Sequence, residues 1–512
     1  MASNSVASTK VLESKWPPAT DLRGSNLPCR LEGEVADLII LGEIPKEIDG
    51  TFYRVMTDPY MPPHPQNVPL DGDGNISAFR FENGRLERDA GKALFGLYRN
   101  PFSHHPCVRA AVDSTANTNL ILWADKFLAL KEGGLPYEIE PHSLDTLGYD
   151  PYGQGDSKAK TFTAHPKVDP YSDELVVFGY EAKGLASTDI IVYSLDRDEN
   201  RHDEQWVQSP WCAPIHDCAI TPNWLILVLW PFEASIERMK RGGHHWAWSY
   251  ERPATFIVIP RRKSTPLPAG WQPGEYRIYN YRNSMLIHTA GAWETLDGTA
   301  LYIETSRYHD NAFPFFPTDD GRLPAANLKA DFVRFTIDLS KPSGSTLENE
   351  PEMVLDLPSE FPRIDERFLT RPYDVLFLNV LTPRELRPDT DLIFQGLDGL
   401  AMHRRSTNTT QYYYAGPDSV VEEPIFIPRS EAEEGNGWVM CMVERKAENR
   451  NELVLMDTRE FGVPIAIVKL PLHFKAQVHG NWIDQRRLRG RKSLVRRGAP
   501  DRISGRGALE VE

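Results

Sequence analysis

Four of the fourteen histidines stand in contexts suited to metal chemistry. They are Thr161-Phe162-Thr163-Ala164-His165-Pro166, Ile215-His216-Asp217, Leu286-Ile287-His288-Thr289 and Val478-His479-Gly480. Each lies at the edge of an apolar or strand-like run, and successive members are 51, 72 and 191 residues apart. Neutral imidazole is the commonest metal ligand among side chains. Helix-borne metal motifs keep their ligands within a few residues. Separations this wide suit one ligand per repeating unit, with the units arranged about a shared axis. Four neutral imidazoles fit iron(II), copper or zinc, and residue type alone does not choose among them.

The remaining histidines read as structural. His244 and His245 fall in Gly242-Gly243-His244-His245-Trp246, expected to be a surface loop, and His104 and His105 sit beside Pro106 in a turn context. The five cysteines, Cys29, Cys107, Cys212, Cys218 and Cys441, are odd in number and form no CxxC pair. A thiolate zinc site is therefore not expected, and free thiols suit a reducing compartment.

The elements that must position the histidines are short β-branched and aromatic runs between Gly, Pro, Asn and Asp clusters. Asn119–Trp123 and Phe127–Lys131 flank a turn and read as a hairpin. Strand candidates recur from Glu174–Tyr180 through Pro464–Leu470, whereas Glu233–Arg241 is the best short helix. With 35 Gly and 41 Pro in 512 residues, the protein reads as all-β. A β-propeller closes many antiparallel strands while leaving only short edges. No fixed repeat motif of the WD40 or kelch kind is visible.

The net charge of −15 argues against nucleic-acid and anionic-membrane partners. Met1–Asp21 is polar and lacks the apolar core of a secretory signal. The longest apolar run, Trp224–Trp230, is too short to span a bilayer. A cytoplasmic protein without a membrane span is expected. Gln485–Arg506 is rich in arginine and predicts a disordered basic tail.

From Leu38 to Trp482 the sequence resembles the carotenoid cleavage oxygenase family. The resemblance rests on Gly42-Glu43-Ile44-Pro45, Gly50-Thr51-Phe52-Tyr53-Arg54, Asp71-Gly72-Asp73-Gly74, Tyr98-Arg99-Asn100-Pro101 and Ala116-Asn117-Thr118-Asn119. It continues through Leu128-Ala129-Leu130-Lys131-Glu132, Thr163-Ala164-His165-Pro166-Lys167, Ile215-His216-Asp217, Glu360-Phe361-Pro362, Glu423-Pro424 and His479-Gly480. It implies a seven-bladed β-propeller over 38–484 with a metal on its axis, loops capping the site, an extension at 1–37 and the basic tail at 485–512. It further implies one Fe2+ per polypeptide on His165, His216, His288 and His479, with O2 as co-substrate. Glu132, Glu360 and Glu423 are then expected to hold His216, His288 and His479 respectively. A carboxylate in that position accepts the second imidazole N–H and fixes the tautomer.

The Tyr98 and Lys131 contexts are most similar to the branch that cleaves lignostilbene, resveratrol and isoeugenol. They imply a phenol-binding pair, with Tyr60 and Met61 as further substrate contacts. The expected substrate is a small 4-hydroxyphenyl alkene, a stilbene or a phenylpropenoid. The expected reaction is O2-dependent cleavage of its exocyclic C=C bond to aromatic aldehydes. Alternatives are carotenoid or apocarotenoid cleavage and a catalytically inactive propeller scaffold. Two departures from the family pattern stand out. Arg85–Phe95 is short, so a blade edge or part of the substrate entrance is expected to differ, and Gly291 replaces the usual Asn three residues after His288. Oligomeric state is not readable.

Overall fold

The computed structural model describes residues 28–29, 33–35, 38–59, 68–94, 114–153, 159–324, 328–386, 396–429 and 433–488. Tyr60, Met61, Tyr98 and most of the basic tail lie outside them.

Among the described residues, seven sheets of four or more strands, antiparallel except for one peripheral pair, are arranged as blades, and a two-stranded ribbon lies beside them. The second blade runs outward through Asn119–Trp123, Lys126–Leu130, Tyr137–Ile139 and Thr146–Tyr149. Its first hairpin turns on Ala124 and Asp125, both at positive φ (48° and 61°), as a two-residue turn matched to strand twist requires. The third blade begins with Lys167–Asp169, the fourth with Cys218–Ile220, the fifth with Met285–Glu294 and the sixth with Ser359–Ile364.

The first and seventh blades are composites of the two ends of the polypeptide. In the first, the C-terminal strand Gln477–Asp484 pairs with Gly50–Thr57, followed outward by Gly74–Glu82, Arg85–Leu94 and Gly33–Val35. In the seventh, Ile425–Pro428 and Ser419–Val421 both pair with Gly437–Arg445, and Arg450–Asp457, Pro464–Lys469 and the N-terminal Ile39–Gly42 complete the sheet. The ring is thus closed by hydrogen bonds between the two ends. The short segment after Arg85 forms a strand that pairs on both sides, so the edge of the first blade is filled.

Strands in the middle of the blades are buried on both faces, which explains their unbroken apolar runs. Trp224–Leu229 (WLILVL) and Val375–Val380 (VLFLNV) have every residue buried, whereas the more peripheral Arg277–Tyr281 alternates. Between the fourth and fifth blades Trp224, Ile226, Phe256 and Val258 pack with Ile303, Val333 and Phe335. Each such side group contributes roughly 1.5–3 kcal/mol through burial, and these inter-blade layers hold the central strands in register. The short helix is Ile236–Lys240, capped by the Ser235 hydroxyl.

Candidate metal centre

His165 lies just before the innermost strand of the third blade and His216 just before that of the fourth. His288 lies within the innermost strand of the fifth, and His479 within that of the first. Their rings converge, each offering a nitrogen within 4.8 Å of the others. The Nε2 separations are 3.1 Å for His165–His216, 2.9 Å for His216–His288 and 3.1 Å for His288–His479.

The other three blades supply carboxylates. Glu132 of the second blade meets His216 Nδ1, Glu360 of the sixth meets His288 Nδ1 at 2.5 Å, and Glu423 of the seventh meets His479 Nδ1 at 3.1 Å. Four blades give an imidazole and three give a carboxylate, so every blade contributes one residue. The adjacent competitor, Glu422, is taken by the buried Arg54 at 2.9 Å.

The donor set tests whether a cation fits. In the neutral rings, a carboxylate at Nδ1 fixes the proton there and leaves a lone pair on Nε2. The His288 lone pair faces those of His216 and His479 at hydrogen-bond distance with no hydrogen between them. That arrangement is repulsive unless a positive ion sits among them. Nitrogens about 2.1 Å from one centre lie about 3.4 Å apart in a tetrahedron and about 3.0 Å apart at right angles. The observed spacings match right angles, which is more open than a closed tetrahedral zinc site. The cluster can therefore hold a metal ion.

Electrostatics agrees in part, since Glu360 raises the His288 pKa against the effect of burial. Burial, reinforced by the other imidazoles, pushes His165 well below its ordinary pKa. Burial also brings His479 down to about 4 despite Glu423. Burial alone would raise the Glu132 carboxyl, but His216 and then Lys131 hold it at about 2. Glu423 is likewise held at about 2, by Arg363 and His479 against burial.

Several supporting residues were not singled out from the sequence. Asp217, beside His216, accepts from Lys167 at 2.7 Å and reaches across to Thr289, beside His288. Adjacency to a ligand was their only signal. Phe361 has φ +48°, a strained value for a bulky residue, and stacks on His288 at 5.0 Å. Gly291 lies at a bulge where a Cβ would come within 2.9 Å of the Tyr373 ring. His245 corrects the surface-loop expectation. It is 6% exposed, 2.9 Å from Glu181 and stacked on Trp246.

A cavity of about 390 Å³ opens onto His216, His288 and His479. Its walls are mainly apolar and aromatic, including Trp230, Phe232, Trp246, Phe313 and Phe361. Lys131 also lines it, next to Glu132. No helix among the described residues is long and apolar enough to cross a membrane.

The profile of the retinal pigment epithelial membrane protein family (RPE65) matches residues 26–484. The resveratrol cleavage oxygenase 1 of Botryotinia fuckeliana (strain B05.10) is 64% identical, over 98% of this sequence and 92% of that protein. A carotenoid cleavage oxygenase 1 of Neurospora crassa is 37% identical, over 90% of this sequence and 89% of that protein. The crystal structure of Pseudomonas brassicacearum lignostilbene dioxygenase superposes with a TM-score of 0.82 at 33% identity, covering 92% of this protein and 100% of that one.

Proposed function

The protein belongs to the RPE65/carotenoid oxygenase family. On that premise we propose that it is a non-haem iron(II) oxygenase cleaving the exocyclic C=C bond of 4-hydroxyphenyl alkenes, resveratrol-type stilbenes first among them. His165, His216, His288 and His479 hold one iron(II) ion per polypeptide, and Glu132, Glu360 and Glu423 orient three of those rings. When bound, iron(II) supplies the reaction with O2.

The observation that carries the reading is Lys131 in the wall of the apolar cavity that three of the imidazoles reach. An ammonium favours the ionised form of a phenol placed beside it. A phenolate para to the alkene pushes electron density into the conjugated double bond and eases its oxidation. Tyr98, outside the described residues, is assigned from its motif as the second donor to the phenol oxygen, and Tyr60 and Met61 as further contacts. The aromatic walls exclude water and hold the rings flat beside the imidazoles. One O2 is consumed per alkene, and each carbonyl fragment takes one oxygen atom. The 64% identity to a resveratrol cleavage oxygenase favours two-ring stilbenes over one-ring phenylpropenoids.

A second reading, carotenoid or apocarotenoid cleavage, is favoured by the name of the Neurospora crassa relative. The hydrocarbon centre of such a substrate has no group for Lys131 to engage. Aerobic incubation of the iron-loaded protein with resveratrol, isoeugenol and an apocarotenal, with products identified by mass, separates the readings. Formation of 4-hydroxybenzaldehyde and 3,5-dihydroxybenzaldehyde from resveratrol is expected. Turnover of the apocarotenal alone would transfer the assignment to the second reading, and turnover of none would remove the oxygenase assignment.

A further inference from the structure

Tyr308 ends the strand Ala300–Tyr308, in which the Thr305 hydroxyl donates to the His288 carbonyl at 2.8 Å. Three residues further on, about 10 Å along the strand, the Tyr308 ring lines the cavity at 8% exposure. A tyrosine hydroxyl this buried normally has a hydrogen-bond partner. Among the described residues this one has none, and its oxygen is not sealed off within the packed interior. It therefore faces the cavity space. Several polar side chains of the wall are already engaged, whereas the buried Glu360 Oε1 has no partner among the described residues. Asn117 donates to the Gly72 carbonyl, the Trp230 indole to the Leu286 carbonyl, and Gln477 accepts from Arg54. Burial, with the Glu360 carboxylate, keeps the Tyr308 phenol protonated, so it is available as a donor.

Its position relative to Lys131 gives this donor a direction. Lys131 follows the second strand of the second blade, and Tyr308 belongs to the fifth. Three of seven steps around a ring place two residues on nearly opposite sides of the axis where the imidazoles converge. An elongated ligand anchored at Lys131 and crossing that axis brings its far end to the Tyr308 side.

Building on the stilbene reading above, we propose that Tyr308 is a specificity-determining residue that donates a hydrogen bond to a hydroxyl on the far ring of the substrate. The cavity then recognises a two-ring alkene with polar groups at both ends, a phenol at Lys131 and a phenolic hydroxyl at Tyr308. A one-ring phenylpropenoid satisfies only the first.

The test crosses two proteins with two substrates. Wild type and Tyr308→Phe, both iron-loaded, are assayed with 3,5,4′-trihydroxystilbene and with 4-hydroxystilbene, which lacks the far-ring hydroxyls. Substitution is expected to raise KM for the trihydroxy compound about tenfold and to leave KM for the monohydroxy compound within about twofold, with iron content unchanged. Equal effects on both substrates, or none on either, overturn the proposal. Anaerobic titration binding gives the same comparison without turnover. Should wild type bind both stilbenes and cleave neither, the oxygenase reading fails while the Tyr308 contact is still decided by the binding ratio. Should Tyr308→Phe not fold, the wild-type ratio decides. Tighter binding of the trihydroxy compound than of the monohydroxy one, lost in Tyr308→Leu, supports the contact, and equal binding by wild type refutes it.

Discussion

The Asp217 carboxylate accepts from both the backbone N–H and the hydroxyl of Thr289, at 2.8 and 2.9 Å, tying the residue after His216 to the residue after His288. Two adjacent blades are thereby held at a fixed spacing where their imidazoles meet. The same carboxylate also neutralises Lys167. Asp217→Ala leaves that partly buried ammonium without its carboxylate and breaks the strap. A loss of about 3 kcal/mol is expected from removing one partner of such a pair, together with weaker iron retention. Thermal unfolding and iron analysis of the purified variant check both.

His216→Ala is expected to abolish iron binding and activity with the propeller intact by circular dichroism. Glu132→Gln and Glu423→Gln remove only the charge behind one imidazole, and iron affinity is expected to fall by about 10- to 100-fold. Competition with a chelator of known affinity measures it. Normal iron content in His216→Ala would take this residue out of the ligand set.

Lys131→Ala is expected to keep its iron, because Lys131 touches the substrate end of the cavity and lies outside the imidazole cluster. Turnover of 4-hydroxyphenyl alkenes should drop on the order of 100-fold, the usual cost of removing one group that stabilises developing charge. Steady-state kinetics beside metal analysis resolves this, and wild-type turnover by the variant would end the phenolate role.

Acidification should loosen the iron-free protein in a defined window. The folded state depresses His165 and brings His479 to about 4, below the ordinary histidine value of about 6.5. Below that ordinary value the unfolded polypeptide takes up protons that the folded one refuses. His288, raised by Glu360 against its burial, acts in the opposite direction, but two depressed imidazoles outweigh one raised one, so stability declines on balance as pH falls from about 6.5 toward 4. Iron and protons compete for the same nitrogens, so iron affinity should decline over the same range. Melting temperatures of iron-free and iron-loaded protein between about pH 7.5 and 4.5 test the sign.

Gly291→Asn, which restores the residue expected by resemblance, should destabilise this protein. The added Cβ meets the ring of Tyr373, which is 4% exposed and hydrogen-bonded to Glu304. A cost of roughly 1–3 kcal/mol is expected for overpacking of this kind, without loss of iron. Chemical denaturation of the variant measures it.

Strand-forming runs and the four histidine contexts were legible because each is a local pattern. Ring size was legible only through the family resemblance and not from local patterns, because two of the blades are assembled from both ends of the polypeptide and no repeat motif marks the others. The choice of Glu423 over Glu422 depends on Arg54, 368 residues away from Glu422. His245 looked exposed because Gly242 and Gly243 precede it, yet Glu181 and Trp246 bury it. In each case the deciding partner is set by the folded ring rather than by the local run of residues.

Gln477–Asp484 both shuts the ring and carries His479, so closure and completion of the metal shell are the same event. During synthesis from the N-terminus, the first three imidazoles emerge long before the fourth, and the nascent polypeptide holds only part of the cluster. A polypeptide ending before this strand lacks both the pairing that shuts the ring and His479.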